Sequence, residues 1–186
     1  MSAKTIVRPA AKAKAAIKPA KKAGSGNAAK DWRELKAADI MQTNVITVTE
    51  DAPLSEVETL LSENRITGMP VTDEAGALVG VISITDLIER YTEDADARPR
   101  RGRGFYDVST YGLEEEDLET FEVPKESEET AGSLMTAEVL TVPAEMPLRL
   151  VAKEMVKHKV HRLLVNEGRK TVGIISTMDL LRAASK

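Results

Sequence analysis

The apolar positions between residues 45 and 91 predict five secondary-structure elements in a fixed order. Short runs of β-branched and apolar residues bounded by turn residues indicate buried strands, and apolar residues at helical spacing indicate helices. Pro53 stands where the first helix can begin, and residues 73–76 have turn chemistry. The order is strand, helix, strand, strand, helix, at residues 45–48, 54–61, 68–71, 78–82 and 87–91.

The same order recurs in the second half of the chain. Helices are predicted near 148–156 and 178–184, and strands at 160–165 and 171–175. Met41, Thr47 and Pro53 have counterparts 94 residues later in Met135, Thr141 and Pro147, whereas Gly80 and Asp86 have counterparts 93 residues later in Gly173 and Asp179. Registers that hold over about 50 residues indicate a duplicated structural unit. Each copy is too small to bury a good core alone, so the two copies are expected to pack on each other.

The formal net charge of −4 is unevenly distributed, because a basic N-terminal arm, residues 1–30, precedes an acidic remainder of the chain. Residues 1–30 carry eight basic side chains, no acidic one and few large apolar residues. Such a segment cannot bury enough surface to offset its ordering entropy, so it is predicted to be disordered. Its charge fits a solubility tail, weak contact with nucleic acid or another anionic partner, or a targeting segment.

A 42-residue insert, residues 92–133, separates the first copy (31–91) from the second (134–186). It is acidic, yet it holds four of the six aromatic residues of the chain: Phe105, Tyr106, Tyr111 and Phe121. A plain solvated loop is one interpretation. We expect partial order instead, in which the aromatic side chains dock while the flanks move.

Composition and motifs argue against catalysis. The chain has no cysteine and only two histidines, His158 and His161, which excludes a thiol nucleophile and argues against a histidine-based zinc site. No Gly-x-x-x-x-Gly-Lys-Ser/Thr or Gly-x-Ser-x-Gly motif occurs. The protein is therefore predicted not to be an enzyme and to need no cofactor or metal. No apolar run reaches the roughly 18 to 20 residues of a membrane-spanning helix, and the lack of cysteine fits a reducing, cytoplasmic location.

One short motif occurs once in each copy, as Gly80–Ser83–Asp86 and as Gly173–Ser176–Asp179. A glycine at the end of a strand lets the backbone approach a ligand closely, and the serine can cap the next helix or meet a phosphate. The aspartate lies in the first helical turn, where its two oxygens can accept both hydroxyls of a ribose. The alternative is structural, with the serine as a helix cap and the aspartate complementing the helix dipole.

With this motif present twice at matched register, the chain resembles a pair of CBS domains, similar to the small two-CBS proteins of bacteria and chloroplasts. The resemblance implies an α/β (α+β) fold of two βαββα repeats packed as a pseudo-twofold pair. It also implies an adenosine-containing ligand of the AMP, ADP or ATP type in the clefts between the repeats. His161 and Arg162 look like the His-Arg pair that meets the ligand phosphate in nucleotide-binding CBS repeats, and an arginine fork suits that task. The structural alternative for the pair is an exposed arginine and a half-buried histidine at a strand edge.

The first copy departs from this pattern, because Thr67 and Gly68 replace the basic pair. It offers a second hydroxyl, Thr85, beside Asp86, and its cleft was expected to recruit His161 and Arg162, or Lys159, from the other copy. The resemblance predicts one competent nucleotide site and leaves a second open. It also predicts that residues 45–47 and 139–141 line the adenine pockets. The resulting candidate ligand-binding residues are Asp86, Ser83, Thr85, Asp179, Ser176, His161, Arg162, Thr47, Thr141, Gly80 and Gly173.

Two functions follow from the sequence. In the first, the chain is a regulatory protein that binds an adenosyl nucleotide and signals to a partner protein that the sequence does not name. In the second, it is a ligand-independent dimerising scaffold whose basic arm contacts nucleic acid. CBS pairs commonly associate through their helices, so the resemblance also predicts a homodimer.

Overall fold

The computed structural model describes residues 31–91, 105–106 and 128–185. The basic arm at 1–30 and residues 92–104 and 107–127 of the insert, which include Tyr111 and Phe121, lie outside these ranges, so the predictions made for them stay predictions. Among the helices that are described, none combines the length and the apolar character needed to cross a membrane.

Each copy contains three helices and three strands within the described ranges. The first repeat holds α1 (Ala37–Ile40), β1 (Val48–Thr49), α2 (Leu54–Asn64), β2 (Gly68–Thr72), β3 (Leu78–Ser83) and α3 (Ile84–Tyr91). The second repeat holds α4 (Ala131–Leu134), β4 (Thr141–Pro143), α5 (Leu148–His158), β5 (Arg162–Glu167), β6 (Lys170–Ser176) and α6 (Thr177–Ala184). The predicted helices and strands are thus observed in the predicted order, preceded in each copy by a short helix.

The strands form two three-stranded sheets of identical topology. In each sheet the first strand runs parallel to the second, and the second runs antiparallel to the third. Gly68 of β2 lies opposite Ser83 of β3, and Arg162 of β5 lies opposite Ser176 of β6. The mixed α/β fold of two βαββα units is therefore confirmed, and the matching registers preserve the duplication seen in the sequence.

Two local predictions differ from the structure. The strand predicted at residues 45–48 begins only at Val48, because Val48 and Thr49 alone pair with β2. The four-residue helices α1 and α4 were not predicted, since four residues are too few to show a helical period.

The segment that precedes β1 or β4 in each copy pairs with the opposite copy. We call residues 35–42 the first lead segment and residues 129–136 the second. Gln42 exchanges backbone hydrogen bonds of 2.9 and 3.0 Å with Ile174 of β6, and Thr136 exchanges bonds of 2.9 and 3.0 Å with Val81 of β3. Each repeat therefore completes its sheet and core with a segment of the other, which fixes the two repeats as one pseudo-symmetric unit.

Gly80 and Gly173 serve this exchange. A Cβ atom on Gly173 would lie 2.5 Å from the sulfur of Met41, and one on Gly80 would lie 2.4 Å from the sulfur of Met135. Met41 belongs to the first lead segment, and Met135 to the second. The close approach predicted for a ligand at these glycines is made by a methionine side chain instead, so their place in the structure is one of packing.

Candidate functional site

A cavity of about 460 Å³ opens where β5, β6 and α6 meet the first lead segment. We call it the second cleft. Its lining residues are Gln42, His161, Arg162, Ile174, Ser176, Thr177, Met178 and Asp179. All except Gln42 belong to the second repeat. Four of the candidate residues, Asp179, Ser176, His161 and Arg162, are therefore gathered in one hollow.

Asp179 is anchored by the start of α6. Ser176 is the N-cap of this helix, and its hydroxyl accepts a 3.3 Å hydrogen bond from the Asp179 backbone N–H. In return, Asp179 Oδ2 accepts bonds of 2.9 Å from the Ser176 backbone N–H and 2.6 Å from the Ser176 hydroxyl. This is a capping box, so the structural role considered for Ser176 and Asp179 is present in full.

The second carboxylate oxygen of Asp179 faces different partners. Oδ1 accepts a 3.1 Å bond from the Gln42 side-chain amide and a 3.4 Å bond from Arg182. Burial raises the pKa of Asp179, but the bonds from Ser176, then Gln42 and Arg182, outweigh it and hold the pKa below its usual value. Because Oδ2 already accepts two bonds, a ribose would be met by Oδ1, with Gln42 or Arg182 displaced, rather than by both oxygens.

Arg162 supplies the cationic side of the second cleft. It lies opposite Ser176 in the β5–β6 register, so the two side chains share one face of the sheet. Its guanidinium stands 5.6 Å from the centre of the Phe105 ring, and burial lowers its pKa, although an arginine remains charged at any physiological pH. Among residues 31–91, 105–106 and 128–185, no carboxylate forms an ion pair with it. A half-buried cation without a counter-ion there is suited to an anionic ligand.

The corresponding place in the first repeat is the first cleft, formed by Gly68, Ser83, Thr85 and Asp86. Asp86 Oδ2 accepts bonds of 2.7 Å from the Ser83 backbone N–H and 2.6 Å from the Ser83 hydroxyl, repeating the arrangement at Asp179. The Ser83 hydroxyl also lies 2.7 Å from the hydroxyl of Thr85. Both residues are buried, with 0% and 6% of their surface exposed.

The second cleft can be compared with the sequence-based site. His161 and Arg162, which were predicted for the cleft of Asp86, line the cleft of Asp179 in their own repeat. Thr47 and Thr141, which were predicted for the adenine pockets, are not among the residues that line the second cleft.

Gln42 was missed, because no local pattern shows that the first lead segment reaches the second repeat. The only signal was its place one residue after Met41, in the duplicated segment.

The profile of the CBS domain matches residues 37–93 and 131–186, the two repeats described above. The chain belongs to the CBS domain family. These two matches cover more than half of the chain, and they agree with the duplicated sheets and the exchanged lead segments.

The relatives of this chain include CBS-domain proteins of two kinds of organism. It is 30% identical over 154 residues to the uncharacterized protein MJ1426 of Methanocaldococcus jannaschii, covering 78% of this chain and 88% of that protein. It is 34% identical over 137 residues to the chloroplastic CBS domain-containing protein CBSX1 of Arabidopsis thaliana, covering 70% of this chain but only 55% of CBSX1. Among solved structures, CBSX2 in complex with AMP is 26% identical, with a TM-score of 0.57 over 81% of this chain and 96% of the crystallised CBSX2 chain.

Proposed function

We propose that this CBS pair is a regulatory protein that binds an adenosine-containing nucleotide, of the AMP, ADP or ATP type, in the second cleft. The observation that carries the proposal is the joint presence in one cavity of a capped carboxylate, Asp179, and a guanidinium, Arg162, that pairs with no carboxylate of the described residues. A nucleotide has a polyhydroxylated sugar and a phosphate. The carboxylate of Asp179 suits the sugar hydroxyls, and the guanidinium of Arg162 suits the phosphate. The AMP complex of the similar CBSX2 supports this class of ligand.

Five of the lining residues have a task in this proposal. The guanidinium of Arg162 binds phosphate oxygens through two parallel N–H donors, and His161 adds a donor at the cleft edge. Asp179 Oδ1 accepts a sugar hydroxyl after the Gln42 amide turns away, and that amide can then bond the ligand instead. Oδ2 remains with Ser176, so the start of α6 keeps its cap while the ligand is bound.

Binding regulates only if the ligand favours one conformation or assembly over another. The exchange of lead segments supplies a physical link, because Gln42 touches the ligand site and also pairs with Ile174 in the β6 strand. A shift of Gln42 on binding is transmitted to the first repeat through residues 35–42. The partner that senses this change is a protein of unknown identity, and cytoplasmic location stays a prediction.

Titration calorimetry of the full chain with AMP, ADP and ATP tests the proposal. Arg162→Ala removes the charged donors and Asp179→Ala the sugar acceptor, so each is expected to weaken binding by about tenfold to a hundredfold, as for the loss of one charge-assisted hydrogen bond. Arg169→Ala is the matched control, because this arginine is exposed in the β5–β6 turn, away from the second cleft. It removes the same charge and should leave affinity unchanged.

Two outcomes would overturn the proposal. One is a wild-type chain that binds none of the three nucleotides more tightly than about 1 mM. The other is equal weakening by Arg169→Ala and Arg162→Ala, which would indicate a general charge effect. The scaffold alternative predicts instead that the chain is retained on DNA and that deletion of residues 1–30 abolishes this retention.

A further inference from the structure

The two clefts of this pair are related by the duplication, yet equivalent residues in them differ in solvent exposure. Met178 at the second cleft has 52% of its surface exposed, whereas Thr85, its repeat equivalent, has 6%. Ser176 is partly exposed, whereas Ser83 has no exposed surface. At these positions the first cleft is covered and the second is open, whereas the two aspartates show the reverse, since Asp86 is partly exposed and Asp179 has 8% of its surface exposed.

Two aromatic residues from the insert lie at the first cleft. Gly68 is the repeat equivalent of Arg162, since each begins its strand opposite the motif serine. A Cβ atom on Gly68 would lie 2.9 Å from Cδ2 of Phe105, so the Phe105 ring stands where the second repeat has an arginine side chain. Phe105 has 2% of its surface exposed and Tyr106 has 3%, and their rings meet edge to face at 5.0 Å.

Tyr106 also accepts hydrogen bonds from two backbone N–H groups of the second repeat. Its hydroxyl accepts a 2.7 Å hydrogen bond from the backbone N–H of Leu140, and its carbonyl accepts a 2.8 Å bond from the backbone N–H of His161. Leu140 lies between the second lead segment and β4, in the stretch from which an adenine pocket was predicted. The pair at 105–106 thus offers an aromatic ring and a hydrogen-bond acceptor, which are the groups a nucleobase would bring.

We infer that Phe105 and Tyr106 are an internal occupant of the first cleft, and that they leave the second cleft as the nucleotide site. The same Phe105 ring faces the guanidinium of Arg162, so the residue that closes one cleft also holds the phosphate-binding group of the other. Closure of the first cleft follows from the contacts of Phe105 alone, whereas exclusion of nucleotides from it rests on the proposed function.

Closure is tested without any ligand by engineered cysteines, because the natural chain has none. Thr85→Cys reports the first cleft, and Met178→Cys is its matched control in the second. With DTNB, Thr85→Cys is expected to react at least about tenfold more slowly than Met178→Cys, since reaction requires access to the thiolate. Adding Phe105→Ala should remove most of this difference, while Phe105→Leu, which keeps the bulk, should preserve it.

A third cysteine guards against loss of structure. Val151 is fully buried on α5 of the second repeat. A cysteine at this position, Val151→Cys, should stay unreactive when Phe105→Ala is added if the chain remains folded. The inference is overturned if Thr85→Cys reacts as fast as Met178→Cys while Phe105 is present. It is also overturned if Thr85→Cys remains protected in a folded Phe105→Ala chain.

Calorimetry with AMP then separates this inference from the proposed function. The wild-type chain is expected to bind one equivalent and Phe105→Ala two, the second being lost when Asp86→Ala is added. If no variant binds AMP but the thiol pattern holds, the proposed function fails and the closure of the first cleft stands. If the wild-type chain binds two equivalents, the internal occupant is wrong and nucleotide binding stands.

Discussion

At the scale of single residues, Asp179 uses its two carboxylate oxygens for two separate purposes. Oδ2 is committed to the cap of α6, and Oδ1 faces the second cleft through Gln42 and Arg182. The capping role that the structure shows therefore leaves one oxygen for the proposed ligand-binding role. Under the proposed function, the stability of α6 and the affinity of the cleft depend on the same ionised group.

The lowered pKa of Asp179 predicts how its contribution to stability varies with pH. An unfolded aspartate titrates near 3.8, and the folded value is lower, so the carboxylate stabilises the fold above pH 3.8. This contribution is lost as the pH falls through the folded pKa. Urea unfolding at a series of pH values should show the free-energy difference between the wild type and Asp179→Asn shrinking over this acid range. A difference that stays constant through it would contradict the account.

Tyr106 provides the opposite, alkaline prediction. Burial raises its pKa to about 12, against the hydrogen bond from Leu140 that lowers it. Because an unfolded tyrosine ionises near 10.0, stability that is intact below that pH should decline between pH 10.0 and about 12. Tyr106→Phe should remove this decline and, by leaving the part-buried Leu140 N–H without its acceptor, cost about 1 kcal/mol near neutral pH. Unfolding curves that change equally with pH in both proteins would count against a buried phenol.

Local sequence information predicted part of the site and missed the rest for a physical reason. Asp179 and Arg162 were found because the motif spacing and the basic pair are visible within one repeat. Gln42 is at least 119 residues away in sequence from its partners in the second repeat that line the second cleft, and Phe105 belongs to the insert. No periodicity in the chain specifies either contact. Phe105 and Tyr106 are docked, as was expected of the aromatic residues of the insert. The sequence did not predict that they would dock at the first cleft.

At the scale of elements, the helices and strands followed from their apolar periods, whereas the exchange of lead segments did not. The two halves of the chain have equal local patterns, so either could in principle pack its lead segment on itself. The deciding contacts are Met41 against Gly173 and Met135 against Gly80, which fit because each glycine lacks a side chain. The glycines of the motif are thus explained by tertiary packing between the repeats.

This explanation predicts the effect of Gly173→Ala. The added Cβ would overlap the Met41 side chain, and overpacking of a core typically costs about 1–3 kcal/mol. In a Met41→Ala background the contacts with the sulfur and Cγ of Met41 disappear and only its Cβ, 3.0 Å away, remains, so the same substitution should cost clearly less. Chemical unfolding of the four proteins of this double-mutant cycle measures the coupling. Equal costs in both backgrounds would show that Met41 does not set the requirement for glycine.

At the scale of the whole molecule, the second repeat has an apolar face that the described chain does not cover. Val156 on α5 and Leu181 on α6 have 79% and 61% of their surfaces exposed. Two adjacent helices with exposed apolar side chains suit a twofold contact with a second copy, in which each residue meets its own symmetry mate or a neighbour of it. We therefore propose that this face forms the predicted homodimer.

Light scattering tests this assembly. The wild-type chain is expected at twice the 20.2 kDa mass of one copy, and the double variant Val156→Glu with Leu181→Glu at the mass of one. Ser62→Glu, at the position on α2 equivalent to Val156, is the matched control and should leave the mass unchanged. A monomeric wild type would show that no such dimer forms. A dimer that survives the double substitution would show that the contact lies elsewhere.

The central claim is that one molecule of nucleotide binds per chain, in the second cleft. A crystal structure of the full chain grown with AMP tests it most directly. The account predicts density in the cavity beside β6 and α6, with the phosphate at His161 and Arg162, the sugar at Asp179 Oδ1, and Phe105 still against Gly68. An AMP molecule in the first cleft with Phe105 displaced, or one whose phosphate lies away from Arg162, would contradict it.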